Sequence, residues 1–135
     1  MKRWISLFAI FTITFWFLSP SLTLPQEKPP SSEVYFSPKG GCTEAIIKEL
    51  NKAKSIILVQ AYFFTSAPIA KALLNAHKRA VKVEVILDKS QRTQKYSPAT
   101  SLFNAGIPVK IDSQHTVAHN KVMIIDGETV ITGSF

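Results

Sequence analysis

"SIILVQAYFF", residues 55–64, is a continuous apolar run interrupted only by Gln60, rich in β-branched and aromatic side chains. A run apolar at odd and even positions alike predicts a strand in the middle of a sheet. Its flanks read differently. On the N-terminal side, "TEAIIKELNKA" (43–53) places Ala45, Ile46, Leu50 and Ala53 at helical spacing. On the C-terminal side, Ser66 is placed to cap "APIAKALLNAHKRA" (67–80), with Pro68 in the first turn where its missing N–H costs nothing. "VKVEVILD" (81–88) then alternates as a strand does, and a polar loop "KSQRTQKYSP" follows. "ATSLFNAG" (99–106) is a short helix stopped at Gly106, and "IPVKID" (107–112) is a further strand. "KVMIID" (121–126) and "ETVIT" (128–132) meet at Asp126-Gly127, a tight hairpin signal, while "EVYF" (33–36) is a short β-prone run at the front. Strands alternating with helices predict an α/β layered sandwich, a mostly parallel mixed β-sheet flanked by helices. In such sheets sites form at the carboxyl ends of strands, so "AYFFTS" and "DKSQR" become rim segments.

The first 32 residues belong to another regime. Met1-Lys2-Arg3 is a basic start, and "WISLFAIFTITFWFL" (4–18) is an apolar run ended by Pro20. That layout predicts a secretory signal over residues 1–24 and an exported, periplasmic or secreted, domain. The alternative is an N-terminal anchor, since the segment extended to Leu24 reaches the length a bilayer requires, with membrane association through residues 4–24. "PQEKPPSS" (25–32), with three prolines, reads as a linker, leaving residues 33–135 as one folded domain. Cys42 is the only cysteine, so no disulfide forms within the chain. The formal charge is +7, and +5 once Lys2 and Arg3 are set aside. A basic domain of this size attracts polyanions such as nucleic acid or an anionic lipid surface.

"AHNKVMIIDGETVITGSF", the last stretch, carries the chemistry. His119 and Lys121 stand two apart on the approach to a strand, so their side chains share a face. An ammonium neutralises phosphate oxygens while an imidazole beside it attacks or carries a proton. Gly133 and Ser134 follow across the hairpin, where a small residue and a hydroxyl admit a phosphate closely. Asp126 differs from His119 by an odd offset and sits at the turn, which points to an orienting or structural part. His115 and His119 have the i, i+4 spacing of a zinc-binding helix, but "DSQHTVAHNK" has no helical pattern and no nearby cysteine, so no metal is expected.

His119-x-Lys121-x4-Asp126-x6-Gly133-Ser134 resembles the HKD motif of the phospholipase D superfamily. "YFSPKGG", "AKSIILVQAYFFTS", "ALLNAHKRAVKVEVILD" and "NAGIPVKIDS" resemble its small Nuc-type bacterial endonucleases, so the similarity runs from Glu33 to Phe135. The resemblance implies a phosphodiesterase that needs no metal or cofactor and passes through a phosphohistidine. His119 would be nucleophile or acid, Lys121 and Ser134 with Gly133 would hold the phosphate, and Asp126 would support the motif among the catalytic residues. The mechanism uses two such histidines and the chain carries one motif, so a homodimer sharing one active site is expected. Nucleic acid is the expected partner, with phospholipid head groups as the alternative and an inactive polyanion-binding remnant as a third reading. The family pattern continues past Gly-Ser to an Asn, a strand and a helix, whereas Phe135 ends the sequence here. A domain incomplete at its C-terminus is therefore expected to be unstable or poorly active.

Overall fold

Ile56–Ala61 forms the central strand, β1, with its odd-numbered side chains facing inward. The structure, a computed structural model, describes residues 29–93 and 98–134. The expected signal or anchor and the first part of the linker fall on residues 1–28, outside the described ones. Helix α1 (Cys42–Lys52) precedes β1, and α2 (Ala67–Lys78) leads to β2 (Lys82–Asp88). A 3-10 turn (Lys89–Thr93), α3 (Pro98–Asn104), β3 (Val109–Asp112), β4 (Lys121–Ile125) and β5 (Thr129–Thr132) complete the order.

The five strands lie in the order β3-β2-β1-β4-β5. β1 pairs parallel with β2, and β2 parallel with β3. β4 returns antiparallel beside β1, with Ala61 opposite Lys121, and β5 is antiparallel to β4. This is the mixed α/β sheet that the alternating pattern predicts.

Period two along the strands decides which side holds the core. Ile57, Val59 and Ala61 of β1, Val83, Val85 and Leu87 of β2, and Ile125 of β4 pack in one cluster with Leu50, Ile69, Leu73, Ala76 and Leu102 of the helices. Leu50, Ile57, Leu73 and Leu102 are fully buried. On the opposite face the side chains are open. Leu58 is 37% exposed, Ile86 40% and Val130 63%. The expectation that residues 55–64 are buried on both faces therefore holds for one face only, and the strand is six residues long. Tyr62, Phe63 and Phe64 leave the sheet, since β2 on one side ends at Asp88 and β4 on the other begins at Lys121.

"EVYF" is a correction too. Val34, Tyr35 and Phe36 are exposed, and Phe36 makes only isolated bridges to Gly40 and Gly41. β propensity in four residues yields no strand without a neighbouring edge to pair with. Ser66 occupies the N-cap position of α2, but its hydroxyl makes no capping bond. The hairpin is as expected: Asp126 and Gly127 have φ of 54° and 75°, and the Glu128 N–H donates to the Ile125 carbonyl at 3.0 Å. Asp-Gly is the pair that tolerates two consecutive positive φ values.

Candidate active site

The antiparallel return of β4 places its first residue, Lys121, beside the last residue of β1. Tyr62 follows β1 and His119 precedes β4, so all three side chains meet at this edge of the sheet. The Lys121 Nζ lies 3.5 Å from His119 Nδ1, at the outer limit of a hydrogen bond. The His119 ring stacks at a tilt on Tyr62, with centroids 4.6 Å apart. The Lys121 ammonium lies 5.8 Å from the centroid of the same ring. β5 ends where β4 begins, and the Thr132 hydroxyl donates to the Lys121 carbonyl at 3.2 Å. Gly133 and Ser134 therefore emerge, exposed, at the end of the sheet that carries His119. An exposed imidazole and a cation with a hydroxyl-bearing segment beside them can receive an anionic, tetrahedral group.

Two carboxylates hold the loop that delivers His119. Asp88, at the end of β2 and only 3% exposed, accepts the Ala118 N–H at 2.8 Å and the Ser90 N–H at 2.8 Å. These bonds, the one from Ala118 foremost, hold its carboxyl below the usual range. Asp112, at the end of β3, accepts the Gln114 and His115 N–H groups and meets His115 Nδ1 at 2.8 Å. The His115 hydrogen bond is the main reason that the Asp112 carboxyl is also lowered. His115 is thus paired within its own loop. Among the described residues, no group of three or more His, Cys, Asp or Glu side chains is arranged to hold a metal ion.

Asp126 is not brought to this edge. It sits at the opposite end of β4, where its carboxylate accepts the N–H groups of Lys54, Ser55 and Ile56 and the Ser55 hydroxyl, all within 3.0 Å. Its geometry is that of an anchor for the start of β1. The structure thus gathers His119, Lys121, Gly133 and Ser134 and leaves Asp126 apart.

Sequence reasoning missed Tyr62 and Asp88. Both lie in the rim segments named from the strand ends, but the residues themselves carried no motif. The tether also gives a testable result. Asp88→Asn keeps one acceptor oxygen and puts an NH2 group against a backbone donor. On the phosphodiester hydrolysis that the HKD resemblance implies, it is expected to lower turnover about tenfold through a misplaced His119, with a smaller effect on affinity. Steady-state rates on a soluble phosphodiester read this, and an unchanged rate would mean that Ala118 needs no tether.

Residues 46–135 match the family described as cardiolipin synthase, PLD-like domain. The chain belongs to the phospholipase D superfamily. A phospholipase D of Rickettsia typhi is 43% identical over 113 residues, 84% of this chain and 55% of that protein. A mitochondrial cardiolipin hydrolase of Xenopus laevis is 33% identical over 89 residues, 66% of this chain and 42% of that protein. Among solved structures, the phospholipase D family member Nuc of Salmonella typhimurium superposes with a TM-score of 0.71 at 37% identity, over 78% of this chain and 70% of Nuc. The chain spans about half the length of the phospholipase D relatives it matches. The matched residues include the edge at which His119 and Lys121 meet.

Proposed function

We propose that this chain supplies the phosphohistidine-forming site of a metal-independent phosphodiesterase, and that its substrate is nucleic acid. The observation that carries the reading is the His119–Lys121 pair, side chains in contact at an exposed edge with Ser134 emerging alongside. In the proposed reaction an imidazole nitrogen of His119 attacks phosphorus and the P–O bond to the leaving group breaks. The departing oxygen takes a proton from a second imidazole. Water then attacks the phosphohistidine, the P–N bond breaks, and the second imidazole takes the water's proton. Lys121 offsets the charge on the non-bridging oxygens throughout.

The second imidazole comes from His119 of another copy, in a twofold pair that shares one active site. The reaction asks one imidazole to attack and another to give up a proton, and a twofold pair supplies both. The net charge of +5 that remains once Lys2 and Arg3 are set aside supports nucleic acid as the polyanion. Phospholipid is the second reading, because relatives named phospholipase D and mitochondrial cardiolipin hydrolase match this chain. Residues 1–24 support export, or attachment to the membrane, for either substrate.

The test is hydrolysis of plasmid DNA, and separately of phosphatidylcholine and cardiolipin vesicles, in excess EDTA. DNA cleavage that survives EDTA and yields an acid-labile, alkali-stable phosphoryl adduct supports the nuclease reading. Lipid cleavage without DNA cleavage selects the phospholipase. Mixing equal amounts of wild type and His119→Ala tests the pairing. Random exchange puts about half of the wild-type subunits into hybrids, so activity is expected to fall by about half. Activity that is indifferent to the variant would remove the shared site.

A further inference from the structure

We infer that Tyr62 is the positioning residue of this site, a single aromatic ring that fixes both the His119 imidazole and the Lys121 ammonium before substrate arrives. The inference deepens the phosphodiesterase reading and rests on it for its kinetic consequence. The need for such a residue is visible in the backbone. His119 belongs to neither β3 nor β4 and lies exposed in the segment between them. Asp88 tethers that segment through the Ala118 N–H, which fixes the main chain and leaves the imidazole free to turn about its own bonds. An attacking nitrogen has to lie within a few tenths of an ångström of its productive position.

Tyr62 supplies the missing restraint. Its ring is itself held, because Phe63 packs edge-on against it at 4.3 Å between centroids with the planes at 69°. The next residue, Phe64, is buried to 3% exposure and donates its N–H to Gln91 Oε1 at 3.4 Å, which anchors the backbone leaving β1. The held ring then meets His119 at 4.6 Å and the Lys121 ammonium at 5.8 Å. The face of an aromatic ring carries negative charge density and attracts a cation within about 6 Å. Offset or tilted stacking at this separation also favours a fixed orientation for the imidazole. One ring thereby couples the orientation of the nucleophile to that of the charge that receives the phosphate. The phenolic hydroxyl has no part in this, so the ring face and not the oxygen is the functional element.

The test has a spectroscopic and a kinetic arm. In proton spectra of the wild-type protein, the His119 ring signals are expected clearly upfield of those of His77 and His115, displaced by the ring current of Tyr62. The displacement is expected to persist in Tyr62→Phe and to vanish in Tyr62→Leu. In the hydrolysis assay, Tyr62→Phe is expected to keep kcat within about twofold, while Tyr62→Leu loses about tenfold in kcat with KM changed less than about twofold. Equal losses in the Phe and Leu variants would assign the role to the hydroxyl and overturn the inference. Undisplaced His119 signals in the wild-type protein would also overturn it, and that measurement does not depend on any variant folding. Upfield signals in a protein that hydrolyses no phosphodiester would sink the proposed reaction, and with it the role inferred for Tyr62, while leaving the stacked geometry standing.

Discussion

His119→Ala is expected to reduce phosphodiester hydrolysis by about 10⁴-fold or more, the scale on which removing an attacking group acts. No other described side chain stands ready to replace it. His77 lies on α2, and His115 is engaged with Asp112 in its own loop. The substitution should leave the unfolding midpoint unchanged, because His119 is exposed and contributes nothing to the helix-covered core. Binding of DNA should also persist and weaken steeply with salt, since phosphate attraction comes from the summed charge of the domain and not from one side chain. The pairing of lost turnover with retained binding is the signature of a nucleophile. Lys121→Ala is expected to behave differently, losing about 10²–10³-fold with part of the loss in affinity. Residual cleavage in His119→Ala at the wild-type rate would end the phosphohistidine reading.

Much of this arrangement was legible from residue order, and the exceptions share one cause. Helix and strand order followed from period and punctuation: Gly106 closes α3, where the Ile107 N–H reaches back to the Leu102 carbonyl, and Asp126-Gly127 turns the hairpin. Such signals are local, so they can be read along the chain. His119, Lys121 and Ser134 were legible as a spacing pattern, and parity correctly placed the first two side by side. Partnership across the chain was not legible. "EVYF" has the side chains of a strand but, among the described residues, forms no ladder beyond the isolated bridges of Phe36, and "SIILVQAYFF" has an apolar outer face that the described elements leave open. Tyr62 and Asp88 were missed for the same reason. Each acts on a residue that is 57 or 30 positions away and becomes its neighbour only through the order β3-β2-β1-β4-β5.

The largest effect on stability is expected at Asp126. Parity and its place in the turn suggested a supporting part, and the structure gives that part a mechanism. Its carboxylate collects three consecutive backbone donors, from Lys54, Ser55 and Ile56, together with the Ser55 hydroxyl. The Asp126 N–H in turn donates to the Ile56 carbonyl at 2.9 Å, so the hairpin and the start of the central strand are tied in both directions. The backbone bonds from Ile56, Lys54 and Ser55 hold the Asp126 carboxyl far below the ordinary carboxylate range. Protonation is therefore easier in the unfolded chain, where the carboxyl titrates near its usual value of about 4. The stabilisation is fully present above that pH and is lost progressively as pH falls toward the depressed folded value. Asp126→Ala should lower the unfolding midpoint by several degrees at pH 7, with the gap from wild type narrowing as the pH is taken below about 4. Asp126→Asn, which keeps one acceptor oxygen without the charge, should fall between them. Turnover per folded molecule should change little, because β4 separates Asp126 from Lys121 by its whole length. A gap between wild type and Asp126→Ala that does not narrow in acid would mean that the charge is not what anchors the strand.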